Sequence, residues 1–197
     1  GSSKGKYVRP VIVQEFLSLD GVMQAPGDAN EFPGGGWQRQ FIGDDHVRLI
    51  VEQMNQADAL LLGRKTYEGF AAVWPGEHDD SGLAQRMNEM PKFVVTTTLE
   101  EVTWNATVVR GDVVGAVNAL KELPGNGLVV VGSRSLARFL HQHDLVDEYR
   151  LWLHPVIVGS GEGLFDEGLN PALWHLFDVE STGEGVVVAT YRRAPRH

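Results

Sequence analysis

The sequence predicts an α/β domain built on a mostly parallel sheet with an antiparallel edge formed by its C-terminal strands. Three observations carry this. β-branched, apolar runs of strand length alternate with segments of helical periodicity along most of the chain. Two or three strand-like runs then follow one another with no helix between them, which adds an antiparallel edge to a parallel sheet. Twice, a strand-like run reaches glycine directly before a helix start, at Gly63 and at Gly132.

The elements follow in order. Residues 1–7 read as a cloning remnant and residues 8–197 as one domain. Residues 8–19 form a buried strand. Residues 20–43 are rich in Gly and Pro and form a long loop, a kind often functional. Asp44 is expected to cap a helix whose apolar face is Val47, Ile50, Val51 and Met54. Residues 57–63 are a short buried strand, 66–73 a helix stopping before Pro75, and 81–90 a second helix stopped by Pro91. Strands are expected at 93–98 and 107–109, where β-branched residues disfavour helix. Asp112 caps a helix facing inward through Val113, Val114, Val117 and Leu120, ended by Pro124-Gly125. Residues 128–131 form a strand, followed by a helix bearing Leu136, Phe139 and Leu140. A strand at 148–158 and a hairpin at 174–180 and 186–192 complete the sheet.

Composition narrows the function. The 197 residues hold 26 acidic and 17 basic side chains, for a net charge of -9, and no cysteine. Disulfides, thiolate zinc sites and cysteine nucleophiles are excluded. An acidic chain without a basic patch argues against nucleic acid. No apolar run approaches membrane-span length, so a cytoplasmic protein is expected. G-x-G-x-x-G, G-x-S-x-G and H-E-x-x-H are all missing, and Gly63-Arg64-Lys65-Thr66 lacks the glycines of a Walker loop. No metal is expected. His141 and His143 read as exposed polar residues.

The two glycine-ended strands remain. Helix starts beyond the carboxyl ends of parallel strands offer free N–H groups and a positive dipole end, suited to phosphate. Arg64 and Lys65 add charge at the first, and Ser133, Arg134 and Ser135 follow the second. Two such ends suit a dinucleotide. They also suit two ordinary strand–helix turns.

With these motifs placed, the chain resembles the dihydrofolate reductase superfamily, in the branch containing the reductase domain of the riboflavin-biosynthesis deaminase/reductase. The resemblance runs from about Val11 to Arg192. It rests on Ser18-Leu19-Asp20-Gly21, on Leu62-Gly63-Arg64-Lys65-Thr66-Tyr67-Glu68, on the strand Phe93 to Thr98, on Val131-Gly132-Ser133-Arg134-Ser135-Leu136 and on His154-Pro155-Val156-Ile157-Val158-Gly159-Ser160-Gly161. It implies a three-layer fold with an eight-stranded sheet, and NADPH as cofactor. Arg64, Lys65, Thr96 and Thr97 would lie near the 2′-phosphate, Thr66, Gly132, Ser133 and Ser135 near the pyrophosphate, and Gly63 and Arg134 would also belong to the cofactor site.

The implied chemistry is hydride transfer to a C=N or C=O carbon of a small heterocycle, pteridine-like or pyrimidine-like. Asp20, Asp44 and Asp45 are the candidate acids, and Trp37 and Phe41 the candidate pocket walls. Two departures weigh against a ribosylaminopyrimidine phosphate: Val131 stands where that reductase has Glu, and Val22 where it has a basic residue. A cysteine-free chain also leaves out the zinc deaminase. The alternative is a non-catalytic NADP(H)-binding sensor or interaction protein on the same fold; a general carbonyl or flavin reductase is a third. A homodimer is expected, with residues 152–158 as the candidate interface.

Overall fold

A computed structural model describes residues 8–194; the expected N-terminal remnant and residues 195–197 lie outside the described residues. One sheet takes in eight strands in the order β4-β3-β2-β5-β1-β6-β8-β7. These are β1 (Val11–Ser18), β2 (Ala59–Gly63), β3 (Lys92–Val95), β4 (Ala106–Val109), β5 (Leu128–Val131), β6 (Glu148–His154), β7 (Trp174–Ser181) and β8 (Val187–Arg193). The first six pair in parallel, and β8 joins β6 and β7 antiparallel. Five α-helices accompany them: α1 (Asp44–Gln56), α2 (Arg64–Val73), α3 (Leu83–Glu89), α4 (Val113–Glu122) and α5 (Arg134–Gln142).

Strand alternation sends successive side chains to opposite faces, and each face has its own core. Val11, Val13, Leu61 and Val130 pack with Val117 of α4 and Leu136 and Leu140 of α5. Ile12, Leu60, Leu62 and Val129 pack with Leu49 and Met54 of α1, Tyr67 of α2 and Met87 of α3. Three layers result, with the central strands apolar on both faces.

Several boundaries differ from the sequence reading. Gly43, not Asp44, occupies the cap of α1, and Asp44 and Asp45 fall in its first turn, where carboxylates suit the helix dipole. The inward face of α1 is His46, Leu49, Ile50 and Met54, with Val47 and Val51 only half-buried. α2 begins at Arg64, two residues early. β3 stops at Val95, leaving Thr96 and Thr97 in the following turn. β6 stops at His154, because Pro155 has no N–H to continue the ladder. Asp112 caps α4 as expected, its carboxylate accepting the Gly115 N–H at 2.9 Å. His141 is not a free surface residue: its ring nitrogens lie 2.7 Å from the Tyr149 hydroxyl and 2.8 Å from the Asn170 carbonyl. Of residues 152–158, 152–154 lie in β6, which is flanked by β1 and β8 and so has no free edge, and Trp152 is wholly buried; 155–158 follow the strand, with Ile157 exposed.

Candidate active site

Parallel pairing puts the carboxyl ends of β3, β2, β5, β1 and β6 on one side of the sheet. Register brings Gly63 beside Val95, and Ser18 beside His154. Two sub-sites follow, one on each side of β5 and β1.

The first lies where β2 and β5 turn into α2 and α5. The Ser133 hydroxyl oxygen accepts the Gly63 N–H at 2.9 Å and its proton is given to the Val131 carbonyl at 3.1 Å. The Ser133 N–H donates to the Thr66 hydroxyl at 2.8 Å. Two helix starts are thereby held side by side. Gly132 and Ser133 both adopt positive φ, at 56° and 57°. A Cβ on Gly132 would stand 2.9 Å from the Thr66 hydroxyl oxygen, so the approach of the two turns needs glycine there. Neither helix has an acidic residue in its first turn. Arg64 and Lys65 are exposed, Arg64 in a 3.4 Å surface pair with Glu68.

Not every predicted cofactor residue faces this place with a free group. Arg134 is committed elsewhere: it donates to the Gly163 carbonyl at 2.8 Å and to Asp166 at 2.9 Å. It fastens α5 to the 162–166 loop. The Thr96 hydroxyl is buried and accepts the Thr98 and Leu99 N–H groups at 3.2 Å, forming the turn after β3. Thr97 and Ser135 are exposed. Gly63 and Ser133 use their own donors in joining the two turns and, with Gly132, shape the site. The groups left to meet a pyrophosphate with a nearby phosphate are the Thr66 hydroxyl proton, the first-turn N–H groups of α2 and α5 and the Arg64 and Lys65 cations, with Thr97 and Ser135 at the rim.

The second sub-site lies between β1, β6, α1 and the long loop. Trp37 and Phe41, from that loop, meet the His154 ring edge-on at 5.2 and 5.8 Å between centroids. Phe16 of β1, His46 of α1 and Trp152 of β6 complete the ring cluster. The Trp37 indole N–H donates to the Gln24 carbonyl at 3.0 Å, which fixes the loop's aromatic end. Burial, with His154 beside it, pushes the His46 pKa down to about 4. Burial also lowers that of His154, against two backbone carbonyls that act the other way.

Trp37 and Phe41, expected from the sequence as pocket walls, both fall in this ring cluster, whereas the sequence reading gave no role to His46, Trp152 or His154. One signal was available for His46: it sits four and eight residues before Ile50 and Met54, on the same helical face.

Two of the three aspartates have other occupations. Asp20 takes the Ser18 hydroxyl proton at 2.6 Å and the Val158 and Gly159 N–H groups at 3.1 and 2.8 Å. These donors, the Ser18 hydroxyl foremost, lower its pKa to about 2. It is a fixed carboxylate holding the end of β1 to the loop after β6, and has no proton to give near neutral pH. Asp45 accepts the Gly183 N–H at 3.1 Å, tying α1 to the β7–β8 turn. Asp44 is exposed in the same helical turn.

Comparison with known proteins agrees with this fold. A solved structure of dihydrofolate reductase from Enterococcus faecalis, complexed with NADP(H) and RAB-propyl, superposes with a TM-score of 0.60 over 94% of this chain and 97% of that one, at 14% identity. A Shewanella sp. PV-4 structure provisionally assigned to riboflavin biosynthesis gives 0.70 over 94% and 99%, at 20% identity. The uncharacterised Bacillus subtilis protein YyaP is 29% identical over 186 residues, 93% of this chain and 94% of its own. The fold is therefore that of dihydrofolate reductase: a mostly parallel eight-stranded sheet with an antiparallel edge. More narrowly, the family model of the RibD C-terminal domain matches residues 9–188, and the chain belongs to that family.

Proposed function

We propose that the protein is an NADPH-dependent reductase of a small heterocycle, pteridine-like or pyrimidine-like. One observation carries the reading. Two helix starts are locked together through Ser133, beside a Gly-Arg-Lys sequence in a chain of net charge -9. Free N–H groups and two cations gathered there fit a dinucleotide bearing an additional phosphate. The NADP(H) held by the E. faecalis reductase on the same fold supports the choice of cofactor.

The Thr66 hydroxyl and the first-turn N–H groups of α2 and α5 would hold the pyrophosphate, with Gly63, Gly132 and Ser133 shaping the turns beneath it, and Arg64 and Lys65 would hold the 2′-phosphate. The nicotinamide supplies a hydride for a C=N or C=O carbon. The chain's own contribution is orientation and exclusion of water: the Trp37, Phe41 and Phe16 rings give the acceptor flat apolar walls. The ionised, fully engaged state of Asp20 favours water as the source of the balancing proton.

Titration of the full chain with NADPH, then NADPH oxidation across a panel of dihydrofolate, oxopyrimidine, simple carbonyl and flavin acceptors, tests this. Saturable NADPH binding with turnover of a heterocycle is expected. Binding without turnover would instead support the sensor reading, and absence of binding would overturn both. A cytoplasmic homodimer accompanies the proposal; among the described residues no helix is long and apolar enough to cross a membrane.

A further inference from the structure

Six buried side-chain N or O atoms have no hydrogen-bond partner among the described residues, and three of the six lie in the ring cluster: His46 Nδ1, Trp152 Nε1 and His154 Nε2. Their residues are 3%, 0% and 0% exposed. Buried polar groups are ordinarily paired, so three orphans in one cluster point to a ligand that pairs them.

The proton on each ring follows from its neighbours. His154 Nδ1 lies 3.1 Å from the Leu17 carbonyl and 2.8 Å from the Trp152 carbonyl. Carbonyls only accept, so Nδ1 carries the hydrogen and Nε2 of the neutral ring presents a lone pair. His46 Nε2 lies 3.4 Å from the Gln38 amide nitrogen. With that nitrogen placed toward the ring it donates, so His46 Nε2 accepts and Nδ1 carries the hydrogen. Trp152 Nε1 is a donor in any state. The cluster therefore offers one acceptor and two donors, on rings whose centroids are 4.6 Å (His46 to Trp152) and 5.9 Å (His46 to His154) apart.

We propose that His46, Trp152 and His154 recognise the adjacent N–H and C=O of a neutral cyclic amide, His154 Nε2 accepting the N–H and the other two donating to the carbonyl. This rests on the ring cluster being the acceptor side of the reductase site. It deepens that reading by naming the edge that is read. A carboxylate in this place would pair with two donors, as an amidine-like diamino edge supplies. This set has a single acceptor and leaves such a ligand with an unmatched N–H. Entry is through the cover formed by Trp37, Gln38 and Phe41, which are carried by the loop and a short 3-10 turn rather than by the sheet. All three triad residues are positioning and specificity groups, not proton donors: both imidazoles are held neutral by burial.

The test is a fluorescence titration of the full chain with 2,4-dioxopteridine, with its 1,3-dimethyl derivative and with 2,4-diaminopteridine, each with and without NADPH. The parent is expected to bind at least about tenfold more tightly than either analogue, the scale of one missing or unmatched hydrogen bond in a closed pocket. His154→Phe should lose about the same factor for the parent, and His154→Gln, which keeps an acceptor, should recover most of it. NADPH affinity should stay unchanged in both variants. In the wild type, the nitrogen-15 resonance of His154 Nε2 should shift with the parent compound and not with the dimethyl derivative. Equal affinity for parent and dimethyl compounds, tighter binding of the diamino compound, or no binding of the parent overturns the proposal. The ligand comparison uses wild-type protein, so a misfolded variant does not decide it. Discrimination among the pteridines without any NADPH binding would overturn the cofactor reading and leave this one standing.

Discussion

Glu15 and Asp20, five residues apart on and just beyond β1, show how surroundings decide what a carboxyl group does. Glu15 is buried within the sheet, its Oε1 without a partner among the described residues, and desolvation raises its pKa well above 4.5. The folded state therefore binds a proton that the unfolded chain releases, and stability falls as pH rises above about 4.5. Glu15→Gln removes this dependence. Thermal unfolding at pH 5 and pH 8 should show the variant gaining on the wild type at the higher pH; a gap that does not widen would contradict the buried neutral acid. Asp20 behaves oppositely. Its pKa of about 2 lies below the 3.8 of the free group, so its stabilising contribution is full above pH 4 and disappears as pH falls through 2. The melting-temperature deficit of Asp20→Asn should be largest near pH 6 and shrink below pH 4. The sequence supplied the turn but not this role, because the N–H donors come from residues 138 and 139 positions away. Arg64, in contrast, was legible from its neighbours alone: a cation after a strand-ending glycine. Its exposed pair with Glu68 holds it weakly. Arg64→Ala should weaken NADPH binding by about 1.5–3 kcal/mol and spare NADH, as calorimetry of both cofactors would show. Equal losses would remove the 2′-phosphate assignment.

Among elements, the βα turns were the most readable and the helix faces the least. β2–α2 and β5–α5 were visible because apolar runs, glycine and a helix start fall in one short stretch. Their mutual contact was not, since it runs through Ser133 to residues 67 and 70 positions distant. Gly132→Ala probes that contact. Alanine at φ +56° pays a left-handed strain of about 1–2 kcal/mol, and its Cβ presses on Thr66. Denaturant unfolding should show at least that loss, together with weaker NADPH binding. Full stability would mean that the turn relaxes without glycine. α1 illustrates the harder case. Reading Val47 and Val51 as inward set the helical stripe off centre, because only aliphatic and Met positions were counted and His46 was given no place on the face. In the fold its ring packs at 4.6 Å from Trp152, and the stripe turns toward His46 and Leu49. The flat faces of an imidazole pack well against neighbouring rings even though its nitrogens still call for partners, and hydropathy alone does not register the packing. The same blindness hid His154, quoted within a motif but assigned no task.

At the scale of the molecule, the sheet has two edges and they differ in chemistry. β4 has four residues and follows Asn105, with Arg110 and Asp112 just beyond it. Short strands with polar flanks discourage edge pairing. β7 has eight residues, exposed along nearly its whole length, with Leu176, Phe177 and Val179 at 56%, 59% and 54% and Leu173, just before it, at 84%. Arg192 stacks 3.3 Å from the Phe177 ring centre, which shields one of these side chains and leaves the rest. An apolar row beside unpaired backbone groups favours a second copy as its cover, and it moves the proposed homodimer contact from residues 152–158 to the β7 edge. The net charge of -9 opposes association at long range, so the contact must rest on apolar burial and strand pairing. This orders the salt response: dimerisation should strengthen modestly as salt screens the like charges, whereas a contact made of ion pairs would weaken. Leu176→Lys combined with Val179→Lys places two strongly hydrated cations on the strand and should give monomers in sedimentation equilibrium. NADPH affinity should be unaffected, because the proposed cofactor site lies across the sheet at β2 and β5. A wild type that sediments as a monomer, or a double variant that still dimerises, would remove β7 as the interface. Loss of the dimer together with loss of NADPH binding would instead couple this edge to the site.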